Sequence, residues 1–159
     1  MWWSRRTFLA LPILLAACGF TPVYGPGGSG AALLGTVQVQ ELRTRDGFLL
    51  VQRLEERLGR PTLPAYMLSL DLSTQQAGLA VDPEGDIERF DVIGSVAFRL
   101  ERIDDGAIVA SGYVEDFTGY SASGSTVATL SAEKDARARL MIILADEIVV
   151  RLQSSDLGG

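Results

Sequence analysis

The sequence predicts an α+β domain in which two helices pack on one face of a four-stranded, mostly antiparallel or mixed sheet, in the order β-α-β-β-β-α. Three observations predict it. Three segments between Ala65 and Thr118 alternate apolar and polar residues with a period of two. Two segments, about Phe48 to Leu58 and Ser131 to Leu152, repeat apolar residues at spacings of three and four. Turn-forming Gly, Pro and Asp residues separate all of them.

The first strand is expected from Leu34 to Gln40, where Val37 and Val39 alternate with Thr36, Gln38 and Gln40. Asp46-Gly47 leads into the first helix. Its apolar stripe is Phe48, Val51, Leu54 and Leu58, and Arg53, Glu56, Arg57 and Arg60 take the polar side, with Glu56 and Arg60 at i, i+4. Gly59 and Pro61 end it. From Ala65 to Thr74, Tyr66, Leu68, Leu70 and Leu72 share one strand face. Between Ile87 and Arg102 the apolar face is Phe90, Val92, Val96, Phe98 and Leu100, and Gly94 marks an expected bulge. Asp104-Asp105-Gly106 turns the chain into a strand from about Ala107 to Thr118. A Gly/Ser loop from Gly119 to Ser125 follows. The last helix is expected from Ser131, its cap, to Leu152. Its inner stripe is Ala132, Ala136, Leu140, Ile143, Leu144, Ile148 and Leu152, and Glu133–Arg137 and Asp135–Arg139 are i, i+4 pairs.

Ahead of this domain lies a different kind of segment. Arg5 and Arg6 precede a short apolar run from Phe8 to Leu15, and Ala16-Ala17 follow. That is the layout of a secretory signal over residues 1–17, and the run is well short of the ~20 apolar residues a membrane-spanning helix needs. Ser4-Arg5-Arg6-Thr7-Phe8-Leu9 also fits the twin-arginine export pattern, so both the general and the twin-arginine routes remain open. Leu15-Ala16-Ala17-Cys18 has the form of a lipobox: an apolar residue, two small ones, then the only cysteine in the chain. The thiol carries diacylglycerol, and the small neighbours admit the peptidase. Cys18 is therefore expected to become an acylated N-terminus, anchoring the protein through several chains where one alone would hold only marginally. Gly19 rather than Asp after the cysteine fits sorting to the outer membrane, on its periplasmic face. Residues 18–32 then read as the anchor and a Gly/Pro-rich tether, 33–153 as the single domain, and 154–159 as a tail.

Composition narrows the chemistry. The chain has 159 residues, 14 Lys and Arg against 20 Asp and Glu, and a net charge of −6. Loss of residues 1–17 removes two arginines and no acid, which makes the mature chain more acidic. Such a chain is poorly suited to nonspecific nucleic-acid binding, which rests on phosphate neutralisation. There is no histidine, so a Ser-His-Asp triad, a Cys-His pair and His-ligated metals are excluded. The acids Asp82, Glu84, Asp86 and Glu88 do not meet the EF-hand spacing, and a solvated turn accounts for them. No cofactor or metal is expected. Arg89, Arg99 and Arg102 lie along one strand. Their guanidinium forks suit the phosphates of a lipid, but the reading their placement favours is that of exposed strand charges that discourage edge pairing.

"CGFTPVYG" directly after a lipobox, the β-α-β-β-β-α order, the stretch "GYSASGSTVATLSAEKDA" with Tyr120 in the loop before the helix, and the closing "AEKDARARLMIILADEIVVRL" together resemble the lipopolysaccharide-assembly lipoprotein family LptE, in its alphaproteobacterial form. The resemblance runs from Cys18 to Leu152 and departs at Thr21, where the family often has a basic residue. It implies an outer-membrane lipoprotein that partners the LptD β-barrel, helps it assemble, sits within it as a plug and contacts lipopolysaccharide, with no catalytic group. Arg89, Arg99, Arg102, Lys134 and Arg137 are the candidate contacts to lipid A phosphates. Two other readings share the anchor: an auxiliary lipoprotein of a phospholipid-trafficking ABC transporter, and an anchored cell-wall hydrolase working through its carboxylates.

Overall fold

The computed structural model describes residues 29–81, 87–122 and 125–155. The signal segment, Cys18 with nearly all of the tether, the acids Asp82, Glu84 and Asp86, and the end of the tail lie outside the described residues. Among the described residues seven elements follow one another: α1 (Ser29–Leu33), β1 (Val37–Val39), α2 (Arg45–Leu58), β2 (Tyr66–Val81), β3 (Ile87–Arg102), β4 (Ile108–Ser121) and α3 (Thr126–Ser154). The sheet order is β1-β2-β3-β4. β1 is parallel to β2, with α2 as the crossover a parallel pair requires, and the other two pairings are antiparallel. The predicted class and the order of the six long elements are as observed, in a mixed sheet.

α1 is an addition. It begins inside the stretch expected to be tether, and Leu33 at its end is fully buried. The Thr36 hydroxyl donates to the carbonyls of Ala32 and Leu33, closing the short helix. Gly35 (φ 68°) and Gly59 (φ 76°) both take the left-handed backbone that favours glycine, and the Gly35 N–H donates to Leu58 O at 2.7 Å. The exit of α1 and the end of α2 are thereby locked together.

β1 is shorter than expected, because only Val37 to Val39 pair in register with β2. α2 starts three residues earlier than the apolar stripe suggested. Thr44 caps it, accepting from Gly47 N at 3.0 Å, and Asp46 sits in the first turn. This start sets the phase. Leu50, Val51, Leu54 and Leu58 turn inward, whereas Phe48 is 64% exposed. Gly59 leaves the helical path, so Arg60 reaches Glu55 (2.8 Å) rather than Glu56, which pairs with Arg53 (3.5 Å).

β2 runs to Val81, seven residues past the end of its apolar alternation. Regular pairing of Gln75, Gln76, Ala77 and Gly78 with β3 carries it on. Gly94 is not a bulge. It pairs in register with Thr74 on one side and Asp116 on the other, and the irregularities fall at Gly78/Ala80, Ala80/Val81 and Leu100/Glu101. β4 continues to Ser121 and takes in Tyr120, which therefore belongs to the strand and is buried. α3 begins five residues before Ser131. Ser125 is its cap, accepting from Ala128 N at 3.3 Å, and 29 residues give a helix of about 43 Å.

The core lies between one face of the sheet and α2 with α3. Leu68, Leu70, Val92, Val96, Phe98, Leu100 and Val114 meet Leu50, Leu54, Leu140, Met141, Leu144, Ile148 and Leu152. Met141, Ala145 and Val149 are buried where Ile143 was expected, because α3 also packs sideways on α2. Among the described residues no helix covers the other sheet face, which carries Ser69, Ser73, Ser95 and Ala97 among exposed Ile93, Tyr113 and Phe117.

Candidate lipid-contact end of the domain

α2 and α3 lie side by side and run in the same direction. Asp46 at the start of α2 meets Arg137 in the first half of α3 (3.0 Å), and Arg53 and Arg57 farther along meet Asp146 (3.0 and 3.5 Å). The start of α3 sits over the end of β4: the Thr129 hydroxyl donates to Ala122 O and the Thr118 hydroxyl to Ala136 O. Both helices thus direct their N-termini, the positive ends of their dipoles, toward the end of the sheet where β2 turns into β3.

The five basic candidates divide along this axis. Arg89, near the start of β3, is exposed on the open sheet face opposite Ser121. Lys134 is exposed on α3 at the same end. Arg99 is more than half exposed and lies 3.8 Å from Glu101. Arg102 pairs with Asp105 (3.2 Å) in the turn at the far end, where the Asp105 carboxyl also takes the Ala107 N–H. At ~3.3 Å per strand residue, Arg102 is about 43 Å along β3 from Arg89. The structure does not bring the strand arginines together. Arg137 is a structural cation: burial opposes its charge, bonds to Glu133 (3.0 Å) and Asp46 outweigh that, and its pKa is raised.

Around Arg137 is a polar group that sequence reasoning missed. Asp46, largely buried, also faces the Thr74 hydroxyl at 3.5 Å. The Gln76 amide donates to the Tyr120 hydroxyl at 2.5 Å, and Tyr120 stacks on Phe90 with centroids 5.4 Å apart. Burial pushes the Tyr120 phenol upward, Glu133 adds to this and Arg137 opposes it. The one signal in the sequence was Asp46 in the first turn of α2, whose partner lies 91 residues away. Among the described residues there is no cluster of three His, Cys, Asp or Glu able to hold a metal, and no helix long and apolar enough to cross a membrane.

The family LptE, described as lipopolysaccharide-assembly, matches residues 34–152, which takes in every long element of this fold. The chain belongs to the LptE family. No curated protein matches it. Among solved structures it is similar to a proposed lipoprotein from Caulobacter crescentus, with 26% identity, a TM-score of 0.66, and 79% of this chain and 93% of that one covered. The rare lipoprotein B from Shewanella oneidensis is similar at 18% identity and a TM-score of 0.57, over 75% of this chain and 92% of that one. A minor lipoprotein from Acinetobacter baumannii shares the fold at 14% identity and a TM-score of 0.53, over 75% and 89%. The expected LptE fold is thus the observed one, and the chain is a lipoprotein of the lipopolysaccharide-assembly type.

Proposed function

We propose that this LptE-family lipoprotein is the partner of the LptD barrel at the periplasmic face of the outer membrane. Acylated Cys18 anchors it, and the α+β domain sits in the barrel as a plug, supports barrel assembly and takes part in lipopolysaccharide transport, without a catalytic step of its own. The observation that carries this reading is the LptE match over residues 34–152. The fold fits it physically. A two-layer domain whose sheet, among the described residues, leaves one face free of helices offers a broad, rigid surface, with Ile93, Tyr113 and Phe117 exposed among small residues, to the wall of a larger protein.

For lipid A the proposed contacts reduce to Arg89 and Lys134, because the other three candidates are engaged by carboxylates. Two helix N-termini point toward the same end and favour negative charge there. Replacing both with Glu should weaken binding of purified lipopolysaccharide about tenfold or more, on the ~1.5–3 kcal/mol scale of hydrogen bonds to charged groups. Arg99→Glu should leave it unchanged, and the reverse ranking would remove Arg89 and Lys134 from the site. The role itself is tested by pulldown in mild detergent through a C-terminal tag. A large outer-membrane β-barrel should co-purify, and recovery of ATPase components of an inner-membrane transporter in its place would refute the barrel partnership.

A further inference from the structure

β4 is the last strand of the sheet over its whole length, and its outer edge is treated differently at its two ends. In an antiparallel edge strand, alternate residues turn both backbone groups away from the partner strand. Three bonds fix which ones do so here. The Ala122 N–H, just past the strand, donates inward to Glu88 O at 2.8 Å. The Phe117 N–H is taken by the Asp116 carboxylate at 2.7 Å, and the Gly119 carbonyl accepts from Arg139 at 3.4 Å. The odd residues therefore face outward. The register runs without a shift from Ala110 to Ser121, so Ser111, Tyr113 and Glu115 share that direction. Side chains close the edge at Phe117 and Gly119, whereas the outward backbone groups of Ser111, Tyr113 and Glu115 meet nothing among the described residues.

Charge and exposure around this open half specify what suits it. A cleft of about 540 Å³ lies where the open half of the edge meets the closed one, and is lined by Asp91, Glu115, Asp116 and Glu147 with Ile93 and Phe117. Among the described residues only Glu147 of these has a basic partner, Arg151 at 2.8 Å, and Glu115 accepts from the Tyr113 hydroxyl at 2.5 Å. Tyr113 and Phe117, 53% and 60% exposed, stand on the same strand face. An unpaired stretch of backbone calls for an extended chain; Asp116 and Glu147 lie on the helix side of the sheet and Tyr113 and Phe117 on the open side, so alternate residues of that chain would meet carboxylates on one face and rings on the other.

We propose that the Ser111–Glu115 edge of β4 is a docking site for an extended segment of a partner protein in which basic and apolar residues alternate, added to the sheet as a fifth strand. This does not depend on the lipopolysaccharide reading. The test uses the full chain, ¹⁵N-labelled and solubilised in mild detergent, with a capped heptapeptide of alternating valine and lysine. At saturating peptide, amide exchange at Ser111, Tyr113 and Glu115 should slow about tenfold or more, the ratio expected where an exposed edge becomes hydrogen-bonded. Raising the salt to about 0.5 M should weaken binding several-fold, since the charges are exposed. A valine–glutamate peptide should fail. Ser111→Pro removes one outward donor at a position where an edge strand tolerates proline, and it should abolish the protection. The same peptide N-methylated on alternate residues, which needs no change to the protein, should also fail. Protection at other strands, binding of the N-methylated or glutamate peptide at equal strength, or protection that grows with protein concentration in the absence of peptide would each overturn the proposal.

Discussion

Gly94 on β3 lies directly beneath Leu140 of α3: a Cβ at Gly94 would come within 2.9 Å of Leu140 Cδ2 and 3.0 Å of Leu144 Cδ1. Both leucines are fully buried, so the helix can settle on the sheet only because this position has no side chain. A branched side chain there has nowhere to go. Gly94→Val should lose about 1–3 kcal/mol of stability by overpacking, read as a lower urea midpoint at unchanged slope. An unaltered midpoint would mean that α3 does not press on the strand.

Arg137 and Arg139 are two residues apart and both make i, i+4 ion pairs, yet they should behave differently. Arg137 joins Glu133 to the largely buried Asp46 on the neighbouring helix. Arg139 reaches Asp135, and that pair is half exposed or more. Arg137→Met should cost roughly 1–3 kcal/mol, since it strands a buried carboxylate. Arg139→Met should cost well under 1 kcal/mol, as exposed pairs do. Equal losses in chemical denaturation would remove the special position of Arg137.

Tyr120 should ionise late, above the ordinary tyrosine range, because its phenol is buried and Glu133 opposes the phenolate. Its folded pKa is raised. The stability linked to it is therefore fully present below the ordinary tyrosine value of ~10, and is lost as pH rises through the folded value. Ultraviolet titration should show a late component that Tyr120→Phe removes. Persistence of that component in the variant would assign it elsewhere.

Cys18 is expected to be the acylated residue. Cys18→Ser should shift the protein from the membrane fraction to the soluble periplasmic fraction, since the acyl chains supply the anchoring energy. Unchanged retention after a carbonate wash would show that something other than the lipid holds it.

The order of the long elements was legible because each buries one face, and periodicity marks that face. The limits of the elements were less so. β2 lost its signal at Gln75 and Gln76, which stay in the strand only because β3 pairs with them. Gly94 looked like a bulge because a glycine in a strand has no local meaning, and its meaning here is a helix lying on top. Phe48 was assigned to the core because spacing alone cannot tell which of two adjacent phases the Thr44 cap selects.

The sequence by itself determined the fold class and the absence of histidine chemistry, and the expectation of an export and acylation signal rests on it alone, since these depend on residue type and on spacing within a single segment. Only the tertiary structure decided which arginines remain available to a ligand. Arg137 resembles Arg89 in the chain, but the distant Asp46 occupies it. It also decided which backbone stays unpaired at the edge of β4. Both outcomes depend on contacts between residues far apart in sequence, and local pattern carries no record of which neighbour folding will supply.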